Sequence, residues 1–233
     1  MAKLVVALDV DKQKAISLIN KLSSKVKYYK IGHKLFTGSP EIINFFNRHN
    51  KKVILDLKYH DIPSVVGLAI EEISRKYKPF ALTLHISGGR SMLEESVNAK
   101  DKLPKSIRPI LFGVTVLTSL NTEDFSILYG MRGMNIDGQV KKMALFAKKY
   151  GLDGIVCSGN ELKTVKKNCG RKFLTLVPGV SIEENMKRKD QKRTIHIGEA
   201  VRYGADYVVI GRHITQSENP VKVVEKIWTI KKY

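Results

Sequence analysis

The chain has 233 residues, of which 43% are hydrophobic, enough for one large core without requiring a second domain. Its 41 Lys+Arg against 22 Asp+Glu leave a net charge of +19, which favours phosphates, nucleic acid or an anionic surface without naming any of them. No segment approaches the ~20 apolar residues of a membrane span, and no basic region followed by a long hydrophobic stretch opens the chain, so a soluble cytoplasmic protein without a secretion signal or membrane partner is expected.

From the N-terminus onward one unit recurs: a short run rich in Val, Ile and Leu, then polar turn residues, then an amphipathic stretch. The runs predict strands over 4–8, 28–31, 52–57, 80–85, 109–117, 154–157, 173–177 and 206–210. Between them "KQKAISLINKLSS", "SVVGLAIEEISRKY", "DGQVKKMALFAKKYG" and "PVKVVEKIWTIKKY" repeat apolar residues at three and four, the helical period. Parallel neighbours need crossovers, so alternation of strand and helix implies a parallel sheet. Eight such units suit a closed (β/α)8 TIM barrel, one α/β domain over residues 1–233. An open doubly wound sheet is the runner-up, but its glycine fingerprint after the first strand is missing, because Asp9 is followed by "VDKQKA".

The remaining composition is bland. Cys157 and Cys169 match no common zinc spacing and read as packing residues. The basic residues are scattered through segments that resemble solvated helix faces and loops. No zinc finger or RNA-binding signature accompanies them, so nucleic acid is not the expected partner.

In such a barrel the chemistry sits where the strands end. In "LVVALD", Asp9 shares a face with Val5 and Ala7 and comes last. In "VILDLK", Val53, Leu55 and Leu57 point toward the helices, while Ile54, Asp56 and Lys58 point into the barrel mouth. Lys30 ends the second strand beside them, and Asp61 follows in the loop before Pro63, a residue suited to a helix start. An isolated Asp-x-Lys pair would read as structural; four such charges with Asp9 at the functional end of the scaffold read as a site. Gly179, Gly211 and Arg212 follow the seventh and eighth strands, where this fold commonly holds a phosphate. His33, His60, His85 and His213 near strand ends read as packing or supporting residues.

"VVALD", "KIG", "LDLKYHDIP", "LHISGG", "VTVLTS", "DGIVCS", "PGV", "DQKR" and "VIGRHITQS" together resemble the orotidine 5'-phosphate decarboxylase family, bacterial type, over nearly the whole chain. The resemblance implies a homodimer acting on orotidine 5'-phosphate, with no metal and no cofactor. It makes Lys30, Asp56, Lys58 and Asp61 the catalytic network, Asp61 being contributed across the dimer interface. Asp9 and Lys30 would bind the ribose and Thr118 would read the pyrimidine edge. Gln191 would bridge base and phosphate, Gly211 and Arg212 would hold the phosphate, and Ile62 and Pro178 would complete the substrate contacts. Two positions depart from the pattern: Val65 stands where a Thr is common, and Ser181 where bacterial members often carry Arg.

The implied reaction leaves negative charge in an sp2 orbital at C6 that the pyrimidine ring cannot easily delocalise. A fixed ammonium can stabilise that charge and then supply the proton; Lys58 has the position for it. Repulsion between Asp56 and the substrate carboxylate is a second contribution. Two other readings stay open: a Mg2+-dependent sugar-phosphate decarboxylase or aldolase of the same barrel superfamily, and a basic nucleic-acid-binding protein built on a barrel.

Overall fold

Val5 and Ala7 leave the first strand on one side, Leu4 and Val6 on the other, and this division by alternate residues recurs around a closed barrel. The computed structural model describes residues 2–130, 135–183 and 193–230. Its strands are β1 (Lys3–Ala7), β2 (Tyr28–Ile31), β3 (Lys52–Tyr59), β4 (Ala81–His85), β5 (Ile110–Val114), β6 (Gly154–Val156), β7 (Leu174–Val177), β8 (Val180–Ser181), β9 (Ile195–His196) and β10 (Tyr207–Ile210). Eight of them close in the order β1-β10-β7-β6-β5-β4-β3-β2, all pairs parallel; β8 and β9 form a separate two-stranded parallel sheet that follows β7. The predicted (β/α)8 architecture is therefore the observed one.

Two apolar layers hold the barrel. Outward residues such as Leu4, Val6, Val53, Leu55 and Leu82 pack against the helices, whose stripes include Leu18, Ile19 and Leu22 of Lys12–Leu22 and Val66 and Ile70 of Pro63–Tyr77. Inward residues form a smaller cluster of Val5, Ala7, Ile54, Ala81, Phe112, Leu176, Tyr207 and Val209. The inner layer is aromatic toward the strand starts, where Tyr28, Phe80 and Tyr207 meet edge-on or tilted with ring centroids 5.4–6.1 Å apart. Small side chains such as Ala7 lie further along, so the interior is plugged at one end and opens at the other.

Helix starts follow local chemistry. The Asp11 carboxylate accepts the Lys14 backbone N–H, and Pro63 opens the helix Pro63–Tyr77, where its missing N–H costs no bond. Cys157 and Cys169 are buried free thiols, and Trp228 packs half-buried against the outer core. No helix among the described residues is long and apolar enough to cross a membrane.

Two strand ends differ from the sequence reading by more than one residue. β5 stops at Val114 because the chain turns away from the ladder; the carbonyls of Val116 and Leu117 accept instead from the Arg193 guanidinium. β3 runs on to Tyr59 through a bulge. Its register with β4 moves from Leu55 opposite Leu82 to Tyr59 opposite Leu84, and Lys58 takes a left-handed backbone with φ +52°.

Candidate active site

Asp56 is the centre of the open end. It is 8% exposed, and its two carboxylate oxygens take different lysines: Lys58 Nζ lies 2.9 Å from Oδ1 and Lys30 Nζ 3.0 Å from Oδ2. Lys30 reaches this point because β2 and β3 pair Lys30 with Ile54, two residues before Asp56. Its ammonium is also 3.9 Å from Asp9 Oδ1 at the end of β1. Gly32 keeps this corner open, since a Cβ there would stand 3.2 Å from Asp9 Oδ1.

Strand alternation alone does not bring Lys58 to Asp56. The bulge does, by turning Lys58 into a conformation that costs a non-glycine residue about 1–2 kcal/mol. Thr83 holds the turn: its hydroxyl accepts the Lys58 backbone N–H at 2.9 Å and donates to Asp56 Oδ1 at 2.9 Å. Thr83 is fully buried and was not singled out in the sequence. The signal was there, because alternation in "ALTLH" puts it on the inner face with Ala81, the one hydroxyl among that strand's residues.

Burial alone would push the Asp56 carboxyl up, but Lys30 and Lys58 outweigh it and hold the group at about 2. Burial would likewise lower the Lys30 pKa, and Asp56 and Asp9 more than offset that, leaving it above the ordinary lysine value. The carboxylate and the Lys30 ammonium thus stay charged in a poorly solvated place. His85, at the end of β4, is pushed down by burial and by nearby His60 and Lys58; its ring lies 5.3 Å from that of His60.

These charges line a cavity of about 250 Å3. Its walls bring together Asp9, Lys30, Asp56, Lys58, Thr118, Pro178, Gly179, Gly211 and Arg212, eight of which the sequence marks as site residues and one, Gly179, as part of a phosphate cradle. Gly179 has φ +73°, a backbone that favours glycine, and turns the chain from β7 into β8. The apolar side chains of Val114, Val156, Leu176 and Val209 complete the lining.

Asp61 and Ile62 are not part of that lining. The Asp61 carboxylate accepts its neighbour's backbone N–H at 2.7 Å on an exposed loop, and Ile62 is 62% exposed. Gln191 lies outside the described residues. Of the two departures, Val65 is exposed, and the buried Ser181 hydroxyl closes a local turn with the Glu183 backbone instead of facing the cavity. Among the described residues no group of three or more His, Cys, Asp or Glu side chains gathers as a metal site.

A model of the Orotidine 5'-phosphate decarboxylase / HUMPS family matches residues 2–227. The chain belongs to this family. A protein named orotidine 5'-phosphate decarboxylase from Aquifex aeolicus (strain VF5) is 40% identical over 232 residues, covering 97% of this chain and 96% of the relative. Another of that name, from Syntrophomonas wolfei, is 38% identical over 231 residues, covering 97% and 95%. Among solved structures, orotidine 5'-phosphate decarboxylase from Lactobacillus acidophilus matches with a TM-score of 0.86 at 27% identity over 100% of both chains. An uncharacterized conserved protein from Geobacillus kaustophilus matches with a TM-score of 0.84 at 29% identity, covering 98% of this chain and 99% of its own. Residues from the blocks "VVALD", "KIG", "LDLKYHDIP", "VTVLTS", "DGIVCS", "PGV" and "VIGRHITQS" line the cavity.

Proposed function

We propose that this chain converts orotidine 5'-phosphate to UMP, the last step of de novo pyrimidine synthesis, without metal or cofactor. The observation that carries the reading is a single buried carboxylate shared by two lysines at the wall of a cavity, with Thr118 and the Gly211-Arg212 pair on the same cavity. The family and the named relatives support the same reaction.

In this reading Arg212, Gly211 and Gly179 take the phosphate, Asp9 and Lys30 the ribose, and Thr118 the pyrimidine edge. Pro178 closes the apolar wall. When the bond from C6 to the carboxylate breaks, its electron pair stays on C6 and carbon dioxide leaves. The Lys58 ammonium stabilises that pair, then gives C6 a proton and regains one from solvent. Asp56 fixes Lys58 in place, and the strained Lys58 backbone sets the direction of the ammonium before substrate arrives. Phosphate binding, remote from the bond that breaks, supplies energy for excluding water from the charged site. Gln191 is assigned the bridge between base and phosphate.

The active unit is a homodimer in the cytoplasm, in which Asp61 and Ile62 of each subunit complete the other's site. Ile62, Val65 and Leu68 support this: they are exposed apolar residues spaced by three at the start of Pro63–Tyr77, beside Asp61. Mixing the inactive Lys58→Ala and Asp61→Ala proteins should restore roughly a quarter of the activity through hybrid dimers with one intact site. No recovery after demonstrated subunit exchange would refute the shared site.

The reaction itself is tested by adding purified protein to orotidine 5'-phosphate with EDTA present. A steady fall in ultraviolet absorbance is expected. Turnover that appears only when Mg2+ is restored, or only with a sugar phosphate, would favour the metal-dependent branch that shares the family description.

A further inference from the structure

Arg193 makes an unusual set of contacts for a residue on a strand-free stretch of chain. Its guanidinium is 2.6 Å from the Glu161 carboxylate through Nη1, and Nη2 donates to the backbone carbonyls of Val116 at 2.9 Å and Leu117 at 3.1 Å. The pair is deeply placed, with side-chain exposures of 12% and 3%. It is also incompletely satisfied: among the described residues Arg193 Nε and Glu161 Oε2 are buried without a hydrogen-bond partner. Burial pushes the Glu161 carboxyl up against the opposing pull of Arg193. A buried, singly bonded ion pair is a poor stabiliser, because desolvation offsets most of the attraction.

What the pair does gain is position. Val116 and Leu117 immediately precede Thr118, and all three line the cavity. Their carbonyls have left the β5 ladder and accept from the Arg193 guanidinium, the Leu117 carbonyl also accepting the Leu120 N–H at 3.1 Å. Arg193 is itself clamped. Two residues on, Ile195 pairs with Val180 and donates its N–H to the Gly179 carbonyl at 3.1 Å. Gly159, beside Glu161, leaves no room for a side chain, since a Cβ there would stand 2.2 Å from Ile195 Cγ2. The guanidinium therefore joins the turn after β6 to the loop after β5, and Ile195 ties the same segment to the rim after β7; the last ladder contact of the loop after β5 is at Thr115, whose N–H and hydroxyl reach the Val156 carbonyl, so Val116 and Leu117 lie beyond it.

We propose that Arg193, braced by Glu161, is a positioning residue that sets the Val116-Leu117-Thr118 backbone and so governs recognition of the base, while leaving the Lys58 network and the phosphate end unchanged. The inference rests on the proposed nucleotide reading. It predicts a defect confined to ligands that carry a base. In Arg193→Lys, UMP affinity should fall about tenfold and ribose 5-phosphate affinity should hold within about twofold, with KM raised and kcat within about threefold. Thr118→Val should cause a similar loss for UMP, and adding Arg193→Lys to it should cost little more, because both act at one contact. Glu161→Gln, which keeps the side-chain shape, is the second variant. It should show the same selectivity with a smaller loss and guards against an Arg193 variant that fails to fold.

The test is calorimetric titration of each full-length protein with UMP and with ribose 5-phosphate, alongside steady-state kinetics. Equal losses for both ligands, no loss for either, or additive effects of the Thr118 and Arg193 changes would overturn the positioning role. A wild-type protein that binds neither ligand and does not act on orotidine 5'-phosphate would instead overturn the nucleotide reading, and this inference with it.

Discussion

Asp56 and Asp206 occupy opposite ends of one barrel and are both held by lysine and threonine, yet their surroundings differ in kind. Asp206 precedes β10, where its Oδ2 accepts from Lys166 Nζ at 2.6 Å and from the Thr175 backbone N–H and hydroxyl at 2.8 and 3.0 Å. Lys166 also donates to the Phe173 carbonyl at 2.8 Å, so this group stitches the helix Leu162–Cys169 to β7 and β10. At the other end two ammonium groups share Asp56, and their remaining donors face the cavity. One network consumes its hydrogen bonds within the fold; the other keeps some for a ligand. The backbone adds a second contrast, because only the Asp56 network includes a residue held at a positive φ, Lys58. Charge and burial alone do not separate a structural cluster from a chemical one. Unspent donors, a neighbouring cavity and local strain do.

The comparison breaks first under paired substitution. Asp56→Asn should lower turnover by roughly 100-fold or more, because it releases Lys58, to which the proposed mechanism assigns the developing charge. Asp206→Asn should leave turnover nearly unchanged and cost about 2 kcal/mol of stability, the scale of lost charged hydrogen bonds. Urea unfolding with parallel kinetics checks both; similar activity losses in the two variants would erase the distinction. Acid sharpens it. The folded Asp56 carboxyl is held at about 2, below its unfolded value, so its contribution to stability is complete above about pH 5 and is lost as pH falls from there through 2. The stability gap between wild type and Asp56→Asn should stay level from about pH 7 to 5 and close only below that.

A smaller effect concerns the bulge. Glycine normally destabilises a strand relative to alanine, but at a left-handed backbone it relieves strain. Lys58→Gly should therefore be more stable than Lys58→Ala by about 1 kcal/mol, with both inactive. Thermal unfolding of the two proteins measures this, and the ordinary order of stability would argue against the strained geometry.

Much of this was legible because period-two alternation reports which strand residues point inward. That pattern placed Asp9, Lys30 and Asp56 correctly from "LVVALD", "YYKI" and "VILDLK", and the alternating strands and helices gave the barrel. The bulge at Lys58 was not legible, since lysine carries none of the sequence signature of a left-handed residue that Gly or Asn would. Alternation reached the right pair there by a route the backbone does not take. Thr83 was readable but overlooked, because a lone inward hydroxyl resembles ordinary strand composition until its neighbours are known. Arg193 could not be found from pattern at all: its partners, Glu161 and the Val116 and Leu117 carbonyls, are 32 and 76–77 residues away. Gly32 and Gly179 appear in quoted blocks, but only the geometry distinguishes the room made by one from the turn made by the other.

The central claim is that Lys58 performs the chemistry while the rest of the pocket binds. Turnover of orotidine 5'-phosphate and binding of UMP, measured side by side for wild type and Lys58→Ala in EDTA, test it directly. The account predicts that the variant loses at least roughly 1,000-fold in turnover while UMP affinity falls by less than about tenfold. A Lys58→Ala protein that turns over at near wild-type rate would contradict it.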